Sequence, residues 1–126
     1  MIVLDTHVWV WWVDGNPRLR PDVREQLDSE RDLRVSAISL LEIATAASLN
    51  RLVLRPSVGA WLQIAQSIEP LTAAVCLDSV MLPGEFHRDP ADRLVVALAR
   101  QHSAPICIAD SKTLAYPHVT RIRADA

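Results

Sequence analysis

Two short, wholly apolar runs near opposite ends of the chain each terminate in an aspartate: Ile2-Val3-Leu4-Asp5 and Ile106-Cys107-Ile108-Ala109-Asp110. Runs this short with no polar alternation read as strands buried on both faces. Burial on both faces belongs to parallel strands covered by helices. Between the two runs strand and helix signals alternate, which predicts an α/β fold with a mainly parallel central sheet. In such sheets ligands bind beyond the carboxyl ends of the strands, and both aspartates stand there.

The other elements follow from punctuation and period. Thr6 to Val13 reads as a short apolar helix stopped by Asp14-Gly15-Asn16-Pro17. Pro21 to Ser29 reads as an exposed amphipathic helix with proline in its first turn. Leu33 to Val35 is a second strand, and Ser39 to Leu49, Val58 to Ser67 and Ala73 to Leu82 are helices. Asp89-Pro90 opens a strong helix reaching about His102, and Arg121 to Arg123 forms a last edge strand. The chain has 126 residues and no repeat or linker, so one domain over 1–126 is expected. That length buries a core without disulfides or a structural metal.

Glu42 and Asp92 join the two strand-end acids. Glu42 lies in the Leu-, Ile- and Ala-rich helix, and Asp92 at the third position of the helix opened by Asp89-Pro90. Each acid has an ordinary structural role open to it. Asp5 and Asp110 can cap the helices that follow them. Ser39 and Glu42 have capping-box spacing, and Asp92 suits the helix dipole. Asp89 reads as the cap of its own helix. Taken jointly, Asp5, Glu42, Asp92 and Asp110 can converge on one crevice. Neighbouring carboxylates raise one another's pKa unless a cation compensates. Mg²⁺ or Mn²⁺ suits such oxygen ligands and can activate water against a phosphodiester. Thr6 and Ser39 neighbour these acids and are expected to support them through hydroxyl bonds. The roles of His7 and His87, both beside candidate acids, stay open.

Formal net charge is −2, so no global basic field holds nucleic acid. A bound cation supplies positive charge locally, so a nuclease is not excluded. Lys112 is the one lysine among 13 basic residues, and the arginines suit bidentate phosphate contacts. With three glycines there is no phosphate-cradling glycine loop, and no nucleophile elbow is present. Cys76 and Cys107 sit in apolar runs and read as buried free thiols, without a disulfide framework. No membrane span or secretory signal is visible, and a cytoplasmic location is expected. Trp9 and Trp12 share a helix face, whereas Trp11 points elsewhere as a possible subunit-contact anchor.

The motifs as a set resemble those of PIN-domain proteins, in particular VapC-type toxins. Ile2 to Trp9 is similar to the family's opening, and Val35 to Ala44 to its second acidic motif. Leu82-Pro83 with His87-Arg88-Asp89-Pro90-Ala91-Asp92-Arg93-Leu94 is similar to the third, and Ile108-Ala109-Asp110-Ser111-Lys112 to the fourth, followed by Tyr116-Pro117. Leu41 and Ala91 depart from the family's usual Trp and Phe. The resemblance implies a three-layer α/β/α fold and Mg²⁺- or Mn²⁺-dependent RNA cleavage by Asp5, Glu42, Asp92 and Asp110. It also implies a homodimer and a cognate antitoxin seated in the active-site groove. A non-toxin PIN nuclease and an inactive PIN-like binding module are the alternatives. A phosphatase reading is disfavoured because His7 stands where a second Asp is required.

Overall fold

In the computed structural model, residues 1–53 and 68–126 are described. The helix expected over Val58 to Ser67 lies outside them. Five strands, β1 (Ile2–Leu4), β2 (Leu33–Ser36), β3 (Ile68–Glu69), β4 (Ile106–Ile108) and β5 (Arg121–Arg123), form one sheet in the order β3-β2-β1-β4-β5. Every pairing is parallel, with Ile2 opposite Leu33, Val3 opposite Ile106, and Ile106 opposite Arg121. The described helices are α1 (Thr6–Asp14), α2 (Pro21–Ser29), α3 (Ala37–Ser48), α4 (Ala73–Val80), α5 (Pro90–Gln101) and α6 (Ser111–Leu114).

Alternation along the strands divides the core into two layers. Ile2 and Leu4 of β1 and Cys107 of β4 pack with Val8, Trp9, Val23 and Leu27 of α1 and α2. Val3, Ile106 and Ile108 face the other way, against Val75 of α4 and Val95 to Ala99 of α5. Helices therefore cover both faces, giving the three-layer α/β/α arrangement. β1 is central because its Ile-Val-Leu run has no face to offer water.

Chain order builds outward from β1 through β2 to β3, then returns to place β4 and β5 on the opposite side. The switch point is between β1 and β4, and beyond the strand ends there is where open α/β sheets bind ligands. Asp5 and Asp110 stand between the ends of these two strands and the helices that follow them.

Several local expectations change. α3 begins at Ala37, and Ser36, not Ser39, is its N-cap, accepting from the Ile38 amide at 3.2 Å. The capping box of Ser39 and Glu42 is therefore absent. Cys76 is exposed, whereas Cys107 is buried as expected. The face α4 buries carries Val75 and Ser79, which turns Cys76 and Leu77 outward. Trp9 is wholly buried, while Trp11 and Trp12 are partly buried against the same core, so Trp11 is not a freely projecting anchor. Arg24 reaches the Trp11 and Trp12 carbonyls at 3.3 Å, and Trp12 Nε1 donates to Asp28 Oδ1 at 2.8 Å. β3 had no sequence signal, because two residues carry no period.

Candidate active site and metal centre

Each predicted acid arrives at the crevice by a different local device. The Asp5 amide donates to Cys107 O at 3.1 Å, which continues the β1–β4 ladder and sets Asp5 beside the end of β4. Asp5 occupies the N-cap position of α1, yet its side chain makes no capping bond. The residue is only 6% exposed. A buried carboxylate not spent on its helix is costly unless something else satisfies it.

Asp110 divides its work. Its Oδ2 accepts from the Thr113 amide at 3.0 Å and from Thr113 Oγ1 at 3.1 Å, which caps α6. Oδ1 takes no part in that cap.

Asp89 Oδ1 accepts from the amides of Ala91 at 2.9 Å and Asp92 at 3.3 Å, so Asp89 caps α5. The Asp92 carboxylate has no such duty. Burial pushes its pKa up to about 7, and the charges of Asp5, Asp89, Asp110 and Glu42 push in the same direction. All four sequence-predicted acids thus act within one local field.

Glu42 is exposed on α3 and is reached from α1. Thr6 Oγ1 donates to Glu42 Oε1 at 2.7 Å and lies 2.9 Å from Ser39 Oγ. A hydroxyl has one proton and a carboxylate only accepts, so Ser39 supplies the proton of the second bond. Both residues expected to support the acids therefore lie in one relay ending on Glu42.

The tightest grouping includes a residue left undecided by the sequence. Donor atoms of His87, Asp92 and Asp110 all lie within 4.8 Å of one another. Asp5 and Glu42 are outside this tight set, though their charges reach Asp92. His7 is more peripheral. Its Nδ1 is 3.9 Å from Asp5 Oδ2 and its side chain is 82% exposed. The Asp5 carboxylate holds the His7 imidazole pKa above its ordinary value.

Arg93 was also missed. Its Nε donates to Ser79 O at 2.7 Å, and its Nη1 to Phe86 O at 3.1 Å and His87 O at 3.2 Å. It pins the loop before α5 onto α4. The only sequence signal was its place directly after Asp92.

A cleft of about 250 Å³ adjoins the Thr6–Glu42 bond, lined also by His7, Val10, Ala46 and Arg51. Arg51 brings a cation beside an otherwise acidic site.

The donor set is chemically matched to a divalent cation. Its carboxylates supply hard oxygen donors. Their mutual repulsion calls for positive charge, and the Asp5 carboxylate is not spent on capping its helix, having only the exposed His7 ring 3.9 Å away as an ion-pair neighbour. Chain order and acid placement now meet an independent match: a family model described as PIN domain covers residues 2–117. The chain belongs to the PIN domain family.

PIN-domain relatives agree over nearly the full length. The chain is 33% identical over 120 residues to Ribonuclease VapC22 of Mycobacterium tuberculosis, covering 93% of this chain and 92% of that protein. Its fold is similar to a chain of a toxin–antitoxin complex from Klebsiella pneumoniae, with a TM-score of 0.71 at 15% identity over 98% and 97% of the two chains. A chain of VapBC2 from Rickettsia felis, solved bound to a DNA fragment from their promoter, also gives a TM-score of 0.71. There the identity is 19%, over 99% of this chain and 100% of that one.

Proposed function

We propose that this chain is a metal-dependent endoribonuclease serving as the toxin of a type II toxin–antitoxin pair. In this reading Asp5, Glu42, Asp92 and Asp110 hold Mg²⁺ or Mn²⁺. The observation that carries it is the Asp5 carboxylate, buried at the switch point and unused by its own helix. The similarity to a protein named as a ribonuclease supports RNA as substrate.

Bound there, a divalent cation supplies charge neutralisation on a phosphoryl oxygen and a water of lowered pKa. The chain's own groups supply the rest. Thr6 fixes the rotamer of Glu42, and Asp110 is held rigid by Thr113. Arg51 binds the RNA backbone in the adjoining cleft, offsetting the negative field that would repel it. Buried walls around Asp5 and Asp92 lower the local dielectric and strengthen each charge interaction.

The partner is an antitoxin that inserts a basic side chain among the acids. An arginine fork can satisfy a carboxylate cluster bidentately and displace the metal. The likeness to chains solved in toxin–antitoxin complexes supports such a partner. The protein works as one domain in the cytoplasm and as a homodimer. Among the described residues no helix is long and apolar enough to cross a membrane. Leu77, Val80 and Met81, at helical spacing and 62%, 71% and 76% exposed, offer a second copy an apolar strip.

The test is a time course on short RNA in Mg²⁺, Mn²⁺ or EDTA with Asp5→Asn as control. Cleavage should require metal and vanish in the variant. Undiminished cleavage in EDTA overturns the proposal. A neighbouring small gene whose product fails to inhibit cleavage overturns the toxin assignment alone.

A further inference from the structure

We infer that His87 is a nitrogen ligand of the metal centre and biases it toward Mn²⁺ over Mg²⁺, an inference resting on the metal-dependent reading above. His87 Nε2 lies 3.1 Å from Asp92 Oδ2. The atom is shielded from solvent and makes no hydrogen bond. Its approach to Asp92 is therefore not a hydrogen bond between the two. A protonated ring would stand at ion-pair distance from Asp92; a neutral one leaves a shielded nitrogen unbonded, which is unfavourable and is relieved by a cation that both atoms address.

The His87–Asp92 spacing fits two ligands of one ion. Ligands on adjacent corners of an octahedron with bonds of about 2.1 Å stand about 3 Å apart, and opposite ligands about 4.2 Å apart. The His87–Asp92 pair has the adjacent-corner separation. Asp110 lies within 4.8 Å of both, a bound that reaches past the opposite-corner value, so Asp110 joins them as a third ligand only with a small inward shift of its side chain.

The loop is built to hold the ring in place. Arg93 grips the carbonyls of Phe86 and His87. Tyr116 Oη donates to Pro83 O at 2.5 Å. The Phe86 ring packs between Tyr116, at 4.6 Å between centroids, and the His87 ring itself, at 4.4 Å. The His87 side chain is 18% exposed, against 82% for His7. A ring held this firmly pays little entropy to bind an ion.

Ligand type then sets metal preference. Mg²⁺ keeps to oxygen donors and water; Mn²⁺ also suits carboxylates and water and stands at the weak end of the first-row order, but as a transition ion it accepts an imidazole nitrogen more readily than Mg²⁺ does. A purely orienting His87, acting on Asp92 without touching the ion, would affect both metals alike.

The test reads metal binding directly. The full chain, freed of metal, is titrated with Mn²⁺ and with Mg²⁺ by calorimetry, and bound Mn²⁺ is examined by pulsed electron paramagnetic resonance. Wild type should show nitrogen coupling that changes on ¹⁵N-histidine labelling. That coupling should persist in His7→Gln and disappear in His87→Gln and His87→Ala. Mn²⁺ affinity should fall by about 10–100-fold in both His87 variants, the range for disrupting a site's supporting groups. Mg²⁺ affinity should change far less in His87→Gln, whose amide oxygen replaces the nitrogen. Melting in EDTA checks that the variants fold, and the labelled wild-type spectrum is decisive without them. Metal binding without nitrogen coupling, coupling that survives loss of His87, or equal losses for both metals overturns the His87 assignment alone. A wild type that binds neither metal overturns the underlying metal-dependent reading as well.

Discussion

Thr6 Oγ1 donates to Glu42 Oε1 at 2.7 Å, joining the first residue of α1 to the middle of α3 across 36 positions of sequence. This bond orients the most exposed of the four acids. Thr6→Val keeps the shape and removes the donor. It should lower metal affinity or cleavage by about 10–100-fold with little change in metal-free melting. Thr6→Ser should retain most of both. Calorimetric metal titration beside a melting curve separates these outcomes.

Ser36 takes the N-cap position that capping-box spacing offered to Ser39, which leaves Ser39 free to meet Thr6. Ser36→Ala removes the α3 cap and should cost about 0.5–2 kcal/mol of stability. Ser39→Ala breaks the relay to Thr6 and should weaken metal binding. Urea unfolding and metal titration of both variants check the assignment, and a purely thermodynamic defect in Ser39→Ala would remove its place in the relay.

Asp89 and Asp92 are three residues apart and should respond oppositely to amide substitution. Asp89→Asn keeps an N-cap and should keep cleavage, while Asp89→Ala should cost about 0.5–2 kcal/mol. Asp92→Asn should nearly abolish cleavage without unfolding the protein. RNA cleavage rates for the three variants, with melting temperatures in EDTA, are the measurement. Activity surviving in Asp92→Asn but lost in Asp89→Asn would reverse the two roles.

Stability without metal should depend on pH through Asp92. Its folded pKa of about 7 exceeds the ordinary carboxyl value of 3.8, so the folded state binds this proton more tightly than the unfolded state. The contribution is fully present below the unfolded pKa and is lost as pH rises through the folded one. His7, also raised, acts in the same direction at higher pH. The Asp92 contribution to melting in EDTA should fall from about pH 4 to about pH 8, and the fall should shrink in Asp92→Asn. Adding Mn²⁺ at the upper end should restore stability, because the cation binds the ionised site.

Arg51 should matter for RNA and not for metal. Arg51→Ala should raise KM about tenfold or more, the value of a charge-assisted phosphate bond. Metal affinity should stay unchanged, and the salt dependence of RNA binding should become shallower. An effect confined to kcat would place Arg51 elsewhere in the reaction.

Much of the site was legible because its signals are local. An apolar run ending in Asp specifies a buried strand and puts the acid at its edge, as at Asp5 and Asp110. Asp89-Pro90 announces a helix start, which fixes Asp92 at its third position. Cys76 was misread because its run is apolar throughout, and only packing against α5 chose Val75 and Ser79 as the buried face. β3 escaped notice because its two residues are held by pairing with β2 and by the Arg34–Glu69 ion pair, neither of which is local.

The sequence by itself marked β1, β2, β4 and β5, most of the described helices and the four acids as candidates, since period, capping and strand-end position depend on near neighbours. Only the tertiary structure decided which acid is free of its helix, which serine caps α3, and which histidine enters the crevice. Those outcomes depend on distances across the switch point between β1 and β4. Asp5, Asp110 and the His87–Asp92 segment come from separate parts of the chain, and the field that Asp5 and Asp110 impose on Asp92 exists only once the sheet has brought them together.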